Sequence, residues 1–135
     1  MIDNNNDLIK EWYRFSMVDL ATARHLYDTM HPKPLEIIVY HCQQSAEKML
    51  KGFLVANSIE PPKIHDLIKL RIMCSEINAN FEELKKICRF LNPFGSQPRY
   101  PNEIEVLETD VETALNHVQS MVDFFESQGI EVKPK

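Results

Sequence analysis

His41, Gln44 and Lys48 fall at i, i+3 and i+7, a spacing that a helix turns into one stripe of side chains. An ammonium beside an imidazole and an amide can bind a phosphate or nucleotide, with Lys48 supplying charge and His41 and Gln44 supplying hydrogen bonds. The same stripe also suits a solvated helix border, with Gln44 paired locally to Lys48. Cys42 next to His41 makes a poor nucleophile and base, because adjacent helical residues point about 100° apart. It reads as a small core residue.

His65 follows Pro61-Pro62 and precedes an apolar run. Its ring can cap a helix, bond to a loop or contact a ligand, and as a general base it needs a partner that the sequence does not name. Arg99-Tyr100 lies in a proline-flanked loop, where arginine suits bidentate phosphate or carboxylate binding and tyrosine suits stacking on a base. The alternative is a loop anchor, with Tyr100 buried, Arg99 paired to an acid and Pro101 opening a helix. The candidate ligand-binding residues are thus His41, Gln44, Lys48, His65, Arg99 and Tyr100, and no residue is assigned as catalytic. No H-x-x-x-H or H-E-x-x-H run and no glycine-rich phosphate loop is present, so neither a metal nor a cofactor is expected.

Helices must carry these groups. Glycine is scarce, and prolines at 32, 34, 61, 62, 93, 98, 101 and 134 cut the chain into proline-free segments. Ile9, Tyr13, Ser16, Leu20, Ala23, Tyr27 and Met30 alternate spacings of four and three and form one face of a first helix, which ends at His31-Pro32. A second, Leu35 to about Ile59, sets Ile38, Val39, Cys42, Ala46, Met49, Leu50 and Phe53 inward and runs Glu36, Gln43, Glu47 and Lys51 down the other side. Its Ser45, Ala46 and Gly52 leave room for close approach of another helix or of a dimer mate.

A third, shorter helix opens at His65-Asp66 with Leu67, Leu70, Cys74 and Ile77 inward, and Asp66 suits its positive end. A fourth carries Phe81, Leu84, Ile87, Cys88 and Leu91 and stops at Asn92-Pro93. The last runs from about Asn102 to Gln128 with Ile104, Leu107, Val111, Ala114, Val118, Met121 or Val122, and Phe125 inward, and Gly129 is its stop. Only the tail around Ile130 to Val132 has any strand character. The expected fold is all-α, an antiparallel up-and-down bundle of about five helices in one domain over 1–135, with its core over about 8–128.

The 135 residues are 44% hydrophobic with a formal charge of −5, enough for one core and without a basic run for a phosphate backbone. Cys42, Cys74 and Cys88 each fall in an apolar pattern and read as reduced, buried thiols. No signal-like start and no membrane-span length appear, which predicts a cytoplasmic protein without membrane contact.

The run YHCQQSAEKMLKGFLVANSIEPPKIHDL, then the RYP loop and a long last helix, resembles the HEPN family of small helical proteins across nearly the whole chain. The order is specific: Q-Q-x-A-E-K-x-L-K, then P-P-x-x-H-D-L, then R-Y-P. The resemblance implies a homodimeric prokaryotic bundle, often paired with a minimal nucleotidyltransferase in a two-component, toxin–antitoxin arrangement. It also implies nucleotide binding, with His41, Gln44, Glu47, Lys48, His65, Asp66, Arg99 and Tyr100 at matching positions. Many members are metal-independent endoribonucleases that carry arginine followed four to six residues later by histidine. Here no histidine follows Arg99 until His117, and the Arg24 and His31 pair lies at the end of the first helix. The expectation is therefore a non-catalytic binding module for a nucleotide or a nucleotidyltransferase partner. The alternative is an RNase acting on RNA through Arg99 with His41 or His65.

Overall fold

The computed structural model describes residues 4–95 and 105–133, and it is all-helical there. Five α-helices follow one another: α1 (Asn4–Thr29), α2 (Leu35–Ala56), α3 (Leu67–Ile77), α4 (Lys85–Leu91) and α5 (Glu108–Ser127). No strand occurs among the described residues, and the tail instead turns Val132 back onto the core. No helix among them is long and apolar enough to cross a membrane.

Helix α2 is the axis of the bundle and packs against α1, α3, α4 and α5. Every residue from Met49 to Val55 is buried. Of the polar residues that run down the side of α2 opposite its apolar face, Gln43, Glu47 and Lys51 are buried like the apolar ones. An i, i+4, i+8 row of polar residues looks the same whether it meets water or a polar partner inside the fold.

The small residues of α2 accommodate α1. Ser16 Oγ donates to the Ser45 carbonyl at 2.6 Å, and the two hydroxyls lie 3.1 Å apart. Further along, Tyr13 lies so close over Gly52 that a Cβ there would fall 2.7 Å from the ring. The pairings 16 with 45 and 13 with 52 make the two helices antiparallel. The close approach anticipated on α2 is thus made within the chain.

The Tyr13 ring packs edge-on against Phe125, but its buried hydroxyl has no hydrogen-bond partner. Burial, with a smaller contribution from Cys74, pushes its pKa up. A buried donor left unpaired is costly, so Tyr13→Phe is expected to keep full stability or add about 1 kcal/mol. Urea unfolding of the two proteins measures this.

Helix boundaries differ locally from expectation. The fourth segment begins as a 3-10 turn over Ala79–Leu84 and becomes α-helical only at Lys85, consistent with the spacing of three from Phe81 to Leu84 to Ile87. Helix α5 starts at Glu108, with Leu107 extended as its N-cap residue and Asp110 accepting the Leu107 N–H at 3.0 Å. Leu107 is consequently exposed and Val106 turns inward instead. Met30 and Ile77, expected inward, are also exposed, Ile77 as the last residue of α3 and Met30 as the first past α1. Gly129 follows α5 at φ 79°, the left-handed conformation of a helix stop.

Candidate functional site

Two carboxylates organise the polar groups of α2. The first is Asp19 on α1, which reaches across the helix crossing. His41 Nδ1 lies 2.9 Å from one of its oxygens and Lys48 Nζ donates to the other at 2.5 Å. A carboxylate can only accept, so Nδ1 carries a proton and, in the neutral ring, Nε2 is the acceptor. His41 and Lys48 thus share a stripe, as their spacing predicts. Gln44 does not join them on Asp19, and its amide donates to Gln43 Oε1 at 2.9 Å.

Asp19 escapes a reading by hydrophobic pattern because its partners lie 22 and 29 residues away. Its one local signal is an acidic residue three after inward Ser16 and four before inward Ala23. Around the cluster, Phe15 stands 48% exposed one turn before Asp19, and Ile37 stands 37% exposed one turn before His41.

The second carboxylate is Glu47, on a different flank of α2. His65 Nδ1 approaches its two oxygens at 2.9 and 3.2 Å, and Lys51 donates to it at 3.1 Å. Gln43 also reaches Glu47 and donates to the His65 carbonyl at 3.0 Å. The exposures divide the cluster: the Glu47 side chain is 5% exposed and Lys51 8%, whereas His65 is 70% exposed.

Beside it, Asp66 is the N-cap of α3 and accepts the Ile68 and Lys69 N–H groups, while Asn92 accepts that of Leu67. A cap of this kind stabilises by about 1 kcal/mol. These bonds occupy the helix start that would otherwise attract an anion. His41 and His65 are therefore held by two separate carboxylates, not gathered around one ligand.

Arg99 and Tyr100 lie outside the described residues. Arg24 donates to Gln119 on α5, and His31 is exposed beyond the end of α1, so each has its own setting. His117 stacks edge-on against Phe90 of α4 at 5.1 Å, and burial, then the Lys86 charge, lower its pKa.

Cys42, Cys74 and Cys88 are buried and unbridged, with pKa values pushed up to about 12 mainly by burial. Thiols ionise more readily in the unfolded chain, so the stability they contribute is present below pH 9 and lost as pH rises from there toward 12. Native protein at pH 8 is expected to resist a thiol-titrating disulfide reagent, all three cysteines reacting only after unfolding. Absorbance of the released thiolate reports this.

Four helices packed around a central one, with imidazoles tied to buried carboxylates, define a small all-α bundle with its polar groups organised along α2. The family model for the HEPN domain matches residues 9–128, and the chain belongs to that family. No curated protein and no solved structure matches the chain.

Proposed function

We propose that this protein is a HEPN-type binding module that works as a homodimer and docks a minimal nucleotidyltransferase through the α1–α2 face around Asp19. The observation that carries this reading is the state of Lys48. Its ammonium is already paired with Asp19, and exposed Phe15 and Ile37 flank the cluster. A cation neutralised in this way is weakened as a phosphate clamp, whereas apolar anchors around a hydrogen-bonded polar centre are the composition of a protein interface. Nucleotide binding is the second reading, supported by the Nε2 of His41, an acceptor in the neutral ring, and the partly exposed Lys48.

The test is co-purification with a minimal nucleotidyltransferase encoded beside this chain, followed by calorimetric titration, with Phe15→Ala and Ile37→Ala in parallel. Binding of the wild type that either substitution weakens supports the docking surface. Failure to bind, or the lack of such a neighbouring gene, removes the partner reading. Titration with ATP then decides the nucleotide reading. Cleavage of end-labelled RNA in EDTA, lost in His41→Ala or Arg99→Ala, would replace both with the ribonuclease reading.

A further inference from the structure

The cluster at Glu47 goes beyond the docking reading and stands independently of it. Burying Glu47 and Lys51 beside Gln43 is costly, and the imidazole of His65 carries the resulting network out to solvent. Glu47 accepts from Nδ1, so in the neutral ring the lone pair lies on Nε2. Gln43 holds the backbone carbonyl of the same residue, so both the ring and the main chain of His65 are anchored.

We propose that His65 is a modification site whose Nε2 accepts a phosphoryl group from a small acyl-phosphate or phosphoramidate donor. General-base catalysis would need walls to seat a substrate around Nε2, and among the described residues a side chain 70% exposed is not enclosed by any. Among the described residues no group of three His, Cys, Asp or Glu side chains is placed to share a metal ion. A nucleophile that takes a group from a mobile donor needs only access, a fixed lone pair and a counter-charge for the cation it becomes. His65 has all three. Lys63 and Lys69, both exposed and within four residues, suit the phosphoryl charge.

In the transfer, the Nε2 lone pair forms the N–P bond while the donor's P–O or P–N bond breaks. The electron pair leaves with the donor, as carboxylate from an acyl phosphate or as ammonia from zwitterionic phosphoramidate. The Nδ1 proton stays on the ring, and the imidazolium formed faces Glu47, whose carboxylate stabilises it. Glu47 is thus a positioning residue and Lys51 holds it in place.

The other histidines provide internal references. His25 and His31 are exposed on or beyond α1, His117 is half-buried, and His41 has the same tautomeric arrangement but is only 26% exposed.

The full chain is incubated with potassium phosphoramidate at neutral pH, and the label is located by peptide mass spectrometry and by phosphorus NMR. His65 is expected to react at Nε2 faster than His25 and His31 by about tenfold, the rate equivalent of one charge-assisted hydrogen bond to the forming imidazolium. Glu47→Gln is expected to retain the Nδ1–H tautomer, read by nitrogen NMR, and to lose that advantage. Labelling of His65 no faster than His25 and His31, or labelling at Nδ1, overturns the proposal. If Glu47→Gln does not fold, the wild-type comparison decides by itself.

Discussion

Glu47→Ala is expected to lower the unfolding free energy by about 3–5 kcal/mol, the penalty for leaving a buried charge without its partner. Lys51 is the charge concerned: its side chain is 8% exposed and its Nζ donates to Glu47. Domains of this size are stable by about 5–15 kcal/mol, so the substitution removes a large share of the total. Urea unfolding followed by circular dichroism gives the number. His65→Ala removes only the exposed member of the cluster and should cost under about 1 kcal/mol. Replacing both partners, Glu47→Leu with Lys51→Met, is expected to recover most of the loss, because neither charge then remains buried. A loss below about 1 kcal/mol for Glu47→Ala would mean that Lys51 reaches water by itself and that the pair is not what holds the flank.

That cluster also marks how far the sequence could be read. The helices were legible because proline-free segments with a period near 3.6 leave few alternatives, and the HEPN resemblance extends over the stretch that the family model matches. The burial of Gln43, Glu47 and Lys51 was not legible. Their spacing states that they share a face, but only the position of the loop carrying His65 determines whether that face meets water or protein.

His41 and Lys48 show the same limit in milder form. Their shared stripe was predictable from spacing, whereas Asp19, which binds both, comes from another helix that only the antiparallel crossing brings near. Gln44 satisfied the same spacing rule and was drawn instead to Gln43. Local periodicity thus predicts which residues are neighbours on one helix and is silent about which neighbour on the next helix claims them.

The crossing itself is tested by Gly52→Ala, expected to destabilise by about 1–3 kcal/mol through overpacking. Alanine is the better helix former by about 1 kcal/mol, so propensity alone predicts the opposite sign. The contact reverses it: the new Cβ would lie 2.7 Å from Tyr13 Cε1 and 3.1 Å from Cδ1 and Cζ. Phe125 stands edge-on to the ring and Ser16 fixes α1 to α2 less than one turn away, which resists a shift of the ring toward Phe125 or of the helix as a whole.

Tyr13→Phe should not rescue Gly52→Ala, because the obstructing atoms are ring carbons that phenylalanine retains. Tyr13→Leu should rescue in part, making the two substitutions non-additive by an amount that a double-mutant cycle reads. The same crossing sets Asp19 against His41 and Lys48, so Gly52→Ala is also expected to disturb that cluster, visible as a change in the His41 nitrogen NMR signals. A neutral or stabilising Gly52→Ala would show that α1 slides freely on α2, and the Asp19 bridge would then owe its geometry to its own hydrogen bonds and not to the helix crossing.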